Sequence, residues 1–317
     1  MMKKSFLILS VLFITLQAQV FAQEKNLIVK STYNASDIIK LDFNLTFENV
    51  KIQKIYGDEF SLEIYSNNKK KLPTYTLDDG VFKIYTSIKR IFNVDNCKIC
   101  LYVPDNYKFE NVSILTASGD VELSDLNSAK ISITSASGDI DLKNTYSDEE
   151  LNIHTASGDV DIEDLNCQSL TVKSASGDIE TENIQAQEVE IKSISGSIET
   201  KNYQGEYICL ESSSGEIKSN SIKVEYFTLG SLSGDIYLLL NNAPIAASSA
   251  KSNSGDIEIY LPSGQGFDLI ASSNSGRLHD EINDMSTSAR GTFENSYYGG
   301  GAEITVKTSS GDIRIGN

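Results

Sequence analysis

Ten copies of a four-residue motif, Ser/Thr-x-Ser-Gly, recur along this chain, and their spacing constrains the fold more than any other feature. The motif glycines are Gly119, Gly138, Gly158, Gly177, Gly196, Gly215, Gly234, Gly255, Gly276 and Gly311, at successive intervals of 19, 20, 19, 19, 19, 19, 21, 21 and 35 residues. Self-similarity at a fixed period marks a stacked-repeat architecture, in which one unit cannot bury its apolar face alone and neighbours complete a continuous core.

Alignment on the glycine gives the inward-facing positions. Five residues before it stand Ile114, Ile133, Ile153, Val172, Ile191, Leu210, Leu229, Ala250, Ala271 and Val306, and two residues after it a β-branched residue or Leu stands in every copy. A third apolar mark follows at Leu126, Leu165, Ile184, Tyr203 and Ile222. Period-2 alternation on both sides of a glycine turn predicts short strands with one buried face each, stacked about 4.8 Å apart. The expected fold is all-β, a single-chain β-solenoid with coils of about 19 residues and no substantial helix beyond the leader. At the corner, glycine either takes a positive φ or makes room where a Cβ would clash. By parity, the serines one and three residues before it should both point inward.

The acid after the glycine should point outward, so Asp120, Asp139, Asp159 and Asp178 form a ladder. Hard cations take carboxylate oxygens, which makes these four calcium candidates, but aspartates also cap turns, and the ladder lapses at Ser197 and Arg277. Turn capping is the expected role, with no metal, cofactor-binding or catalytic residue required.

Residues 1–22 read as a secretory signal peptide: Lys3-Lys4, an apolar run from Phe6 to Leu16, and a small-residue end at Ala22. Nothing later is apolar for long enough to span a membrane, so no integral membrane segment is expected. Residues 23–108 are β-rich but irregular and are expected to cap or begin the solenoid, and residues 109–317 form the repeat domain. The formal charge of −17 becomes −19 once Lys3 and Lys4 are removed, which disfavours binding to nucleic acid. Four cysteines, Cys97, Cys100, Cys167 and Cys209, sit at spacings ill-suited to disulfides or to a redox pair, and free thiols are expected. Lys69-Lys70-Lys71 reads as a solvated loop.

At Ile99-Cys-Leu-Tyr-Val-Pro104 and Val112-Ser-Ile-Leu-Thr-Ala-Ser-Gly-Asp-Val121 the chain resembles the bacterial putative-adhesin family, exported domains of unknown function built from Ser-Gly-Asp strand units. The likeness runs from about residue 30 to the closing Ile304-Thr-Val-Lys-Thr-Ser-Ser-Gly-Asp-Ile313. It implies a β-helical envelope protein, periplasmic, surface-held or secreted, and brings no catalytic residues with it. The expected function is a non-enzymatic adhesin-like protein or envelope scaffold with a rigid acidic surface, whose partner is a protein or glycan. The rival is a carbohydrate-acting β-helix lyase or hydrolase. Its acids would have to come from the long insertion Arg277 to Glu303, which holds His279, Asp280, Glu281, Asp284 and Arg290, and whose Gly299-Gly300-Gly301 suggests a flexible return into the last coil.

Overall fold

A computed structural model describes residues 26–69, 72–86, 97–288 and 290–317. The leader expected over 1–22, and Lys70 and Lys71 of the basic run, lie outside the described residues. Those described form 26 strands and one short 3-10 turn, Ala35–Asp37, joined in a single β-solenoid.

Alternation along the sequence becomes stacking in space. Ile133 pairs with Ile153, Ile153 with Val172, Val172 with Ile191, and Ile191 with Leu210, in parallel register. These side chains are fully buried. Each is covered by its equivalents one coil up and one coil down, and full burial of such a side chain is worth about 1.5–3 kcal/mol. The longest strands, Ile140–Thr155, Val160–Ser174 and Ile179–Ser193, each run almost around a coil.

The motif glycines form one of the two corner columns, and their backbone is not left-handed. They are required by space. A Cβ on Gly138 would lie 2.1 Å from the Gly119 carbonyl oxygen, and one on Gly177 2.0 Å from that of Gly158. In every copy the hydroxyl three residues earlier closes the turn by accepting the glycine N–H, at 2.9 Å for Ser135, 3.1 Å for Thr155 and 2.8 Å for Ser212. The serine one residue before the glycine departs from expectation: Ser118, Ser137, Ser157 and their equivalents are exposed. The chain bends directly after the buried hydroxyl, so strand parity ends there and does not carry to the next serine.

A second corner lies six residues after the glycine. Asp125, Asn144, Asp164, Asn183, Asn202 and Ser221 all adopt positive φ, between 49° and 59°. Asn and Asp tolerate this conformation better than other side chains. Their amides also link coils: Asn183 Nδ2 donates to Asp164 Oδ1 at 2.9 Å, and Asn202 Nδ2 to Asn183 Oδ1 at 3.0 Å.

Chain order and stacking order part company at both ends. Ala302–Thr308 lies between Ser248–Ser252 and Phe267–Ser273, and Ile313–Gly316 lies between Ile257–Tyr260 and Arg277–Asp280. The Gly311 coil, last in sequence, therefore sits inside the Gly276 coil. The insertion doubles back as antiparallel strands, Met285–Ser288 on Arg277–Asp280 and Phe293–Tyr297 on Phe267–Ser273, which close that end. The other end mirrors this. Lys40–Asn44 sits between Val81–Tyr85 and Phe109–Thr116, and Asn49–Ile55 between Cys97–Pro104 and Val121–Ser124. Antiparallel Thr74–Asp78 and Glu59–Ser66 form the outer layer, and Leu27–Asn34 pairs with the outer edge of Glu59–Ser66. Antiparallel covers of this kind protect the exposed rims of a parallel stack.

The corner geometry separates two glycines by their surroundings. Gly177→Ala should lower unfolding stability by roughly 3 kcal/mol or more, because its Cβ meets backbone that cannot yield without separating coils. Gly230→Ala, whose Cβ would find only Glu211 Cγ at 3.6 Å, should change it little. Urea unfolding of both variants checks the contrast, and equal stability of the two would contradict the corner packing.

Candidate functional site

The aspartate ladder is bonded to the backbone from coil to coil. Asp120 Oδ1 accepts the Asp139 N–H at 3.2 Å, Asp139 Oδ1 that of Asp159 at 3.0 Å, Asp159 Oδ1 that of Asp178 at 2.8 Å, and Asp178 Oδ1 that of Ser197 at 2.7 Å. One oxygen of each carboxylate is thus committed to the next turn. Among the described residues no group of three or more His, Cys, Asp or Glu side chains converges as a metal site.

Beside this ladder runs a second acidic column, Glu122, Asp141, Asp161, Glu180 and Glu199, held in register by strand pairing. Partial burial, followed by the neighbouring carboxylates, raises the Asp141 and Asp161 carboxyls above the ordinary aspartate range. Lysines relieve the column at its ends, Lys51 pairing with Glu122, and Lys201 and Lys218 with Glu199 at 3.1 and 3.4 Å.

The insertion's charged residues hold the closing strands in place. Asp280 is buried and accepts the N–H groups of Ile282 and Asn283 at 3.1 and 3.2 Å, the Asn283 amide at 2.8 Å and the Tyr297 hydroxyl at 2.8 Å. Glu281 pairs with Arg314 at 3.3 Å, and Arg290 Nε donates to the Asn274 carbonyl at 3.3 Å. Asp284 forms a positive-φ turn. His279 lies between Ser286 Oγ, 3.3 Å from Nδ1, and Asp312 Oδ2, 3.7 Å from Nε2. The order Ser, His, Asp matches a nucleophile triad, but 3.7 Å is too long for the bond that would orient the imidazole, and Asp312 is also engaged by the Arg277 N–H at 2.8 Å.

All four cysteines are free and buried. Burial pushes the Cys97 and Cys167 thiols up to about 12, which suppresses the reactive thiolate.

The feature that the repeat pattern did not reveal is a groove of about 630 Å³ along the solenoid axis. Tyr146, Asn166, Gln185, Gln204 and Lys223 pair in register as its first wall, and Asn242 ends that wall. Asp148, Gln168, Gln187, Glu206 and Glu225 form the second. The floor is small: Ser147, Cys167, Ala186, Gly205 and Val224. The walls stand eight and ten residues after the motif glycine, so a column count from Gly158, Gly177 and Gly196 would have found the recurrent amides. Their convergence on one groove depends on the bend after the Asx corner, which strand periodicity does not encode. Backbone groups along the groove are already bonded between coils, as in Gly205 N–H to the Lys223 carbonyl at 3.1 Å and Glu206 N–H to the Gln187 carbonyl at 2.9 Å.

Comparison with known proteins places this geometry. The family model described as Toastrack DUF4097 matches residues 38–180 and 144–316. A crystal structure named as a putative adhesin from Parabacteroides distasonis is similar over 90% of this chain and 96% of its own, at 10% identity and a TM-score of 0.50, a likeness of fold. A putative lipid binding protein from the same species, at 16% identity and a TM-score of 0.46, and a putative adhesin from Bacteroides fragilis, at 14% and 0.37, cover 90% of this chain and 96% of their own. No curated protein matches the chain.

The acidic columns yield a pH prediction. A carboxyl whose folded pKa is raised binds more protons folded than unfolded, so its destabilising effect appears as pH rises through that folded value and is absent below the ordinary aspartate range, near about 4. The double variant Asp141→Asn, Asp161→Asn should therefore be more stable than the parent at pH 7, and the gain should shrink as pH falls toward 4. Urea midpoints across that range measure it, and a gain that grows on acidification would contradict the assigned sign.

Proposed function

The chain belongs to the Toastrack DUF4097 family, and from that premise we propose that it is an exported, non-enzymatic, adhesin-like protein of the cell envelope. Residues 1–22 serve as its leader, residues 109–317 are the repeat platform, and residues 23–108 close one end. Repeat solenoids present extended surfaces whose side chains vary while the backbone stays fixed. The observation that carries this reading is the contrast between two sets of polar groups. The acids and the histidine of the insertion, which a lyase or hydrolase would use, are tied into structural bonds or set too far apart. The groove, by contrast, offers rows of polar side chains in which the uncharged amides Asn166, Gln168, Gln185, Gln187, Gln204 and Asn242 outnumber the charged Asp148, Glu206, Lys223 and Glu225. That arrangement suits binding better than bond cleavage. The adhesin name carried by the Parabacteroides distasonis structure is in keeping with it. Among the described residues no helix is long and apolar enough to cross a membrane.

Protein from the native host should show a mature terminus near Gln23 by mass spectrometry. The purified mature chain should be retained on immobilised envelope or host-surface material and should release no reducing ends from polysaccharides. Sustained release of sugar, lost in His279→Ala, would overturn the non-enzymatic reading, and absence of any surface binding would overturn the adhesin-like one.

A further inference from the structure

The axial groove carries a more specific chemistry than adhesion in general. Its walls hold six amides, Asn166, Gln168, Gln185, Gln187, Gln204 and Asn242, within a span of six coils, about 24 Å at about 4.8 Å per coil. Three of them are internally engaged: Asn242 caps the Val224 backbone, accepting its N–H at 3.1 Å and donating to its carbonyl at 2.7 Å, and Asn166 Nδ2 donates to Gln185 Oε1 at 3.2 Å, which leaves Gln185 its own amide donors. Among the described residues, the side chains of Gln168, Gln187 and Gln204 have no hydrogen-bond partner within the protein and project into solvent.

An amide side chain presents a donor and an acceptor side by side, which is the complement of a hydroxyl that both donates and accepts. Repetition of that pair at coil spacing matches a polymer that repeats its hydroxyls. Tyr146, 43% exposed at one end of the row, adds an apolar ring face with a polar tip, suited to cover the C–H face of a sugar ring. The other interpretations of a long polar groove fit less well. An extended peptide docks by adding a strand or by filling pockets with side chains. Here the backbone groups are already bonded between coils, and the small residues of the floor make no deep apolar pocket. A polyanion would meet Asp148, Glu206 and Glu225 against the single cation Lys223, on a chain of formal charge −17.

We infer that the groove walled by Gln168, Gln185, Gln187 and Gln204, with Tyr146 at its end, is a binding site for a neutral, hydroxyl-rich linear glycan lying along the solenoid axis. This rests on the reading of the protein as a surface-binding solenoid and names the class of its ligand. The ligand's hydroxyls exchange water for the free amides of Gln168, Gln187 and Gln204 and for the unengaged amide donors of Gln185, ring stacking on Tyr146 fixes one end, and affinity grows with chain length until the six coils are spanned.

The test titrates the mature full chain, by calorimetry, with neutral hexasaccharides (cello-, malto-, manno- and chitohexaose), with oligogalacturonate as the anionic arm and a library of extended peptides as the protein arm. At least one neutral hexamer should bind, more tightly than its dimer. The double variant Gln185→Ala, Gln204→Ala should weaken binding tenfold or more, and Tyr146→Ala should weaken it as well. Lys173→Ala, in the exposed column away from the groove, should leave it unchanged. Circular dichroism and the melting temperature confirm that each variant remains folded, as substitutions of exposed side chains should. No binding of any neutral hexamer, affinity unaltered in the double variant, or preference for oligogalacturonate or for a peptide would each overturn the inference. Retention of the double variant on surface material would leave the adhesin-like reading standing while removing the groove as its basis.

Discussion

The rest of the molecule depends on a single steric requirement, the close approach of each motif glycine to the carbonyl of the residue stacked beneath it, a motif glycine in every case but Gly119, which meets Glu48. With no room for a Cβ in that column, coils approach to hydrogen-bonding distance at the corner, and the corner then fixes the phase of every strand leading away from it. The buried hydroxyl three residues earlier and the aspartate one residue later follow from the same approach. Each satisfies an N–H that a tight turn would otherwise leave unpaired, so the motif is a device for closing a turn between coils without water. The pattern holds across the Gly255, Gly311 and Gly276 coils although they are not consecutive in the chain, which shows that the contact is set by stacking and not by sequence distance.

What was legible in the sequence was what repeats locally. The columns of Ile153, Val172 and Ile191, the outward aspartates and the solenoid itself all follow from counting residues on either side of one glycine. Parity failed at Ser118 and its equivalents because a bend intervened. The Asx corner at Asn144, Asp164 and Asn183 is equally periodic, but Asn and Asp signal turns in so many contexts that their recurrence alone does not mark a corner. The interleaved terminal coils could not have been read at all. Asp312 N–H bonds to Asp256 Oδ1 at 2.7 Å across 56 residues, and both flanking coils carry the same motif, so nothing local distinguishes one neighbour from the other.

Charge is distributed unevenly around the coil. Carboxylates crowd the strands after the glycine corner, where partial burial and then mutual repulsion raise the Asp141 and Asp161 carboxyls, while in the walls past the Asx corner amides outnumber charged groups. A groove in which uncharged amides outnumber charged groups can exchange water for hydroxyl groups at lower desolvation cost than a column of carboxylates can.

The placing of the last coil inside the stack has a mechanical consequence. In a solenoid whose terminal strand lies on the rim, a pull on the end peels that strand away one hydrogen bond at a time. Here Ile313–Gly316 is bonded along both edges, to Ile257–Tyr260 on one side and Arg277–Asp280 on the other. A load applied at Asn317 is shared by two parallel ladders in shear, and Lys40–Asn44 and Asn49–Ile55 are clamped in the same way near the opposite terminus. A rod loaded at this end would resist extension through these clamps, whereas a load at the other end meets Leu27–Asn34 first, which is bonded to Glu59–Ser66 along one edge only.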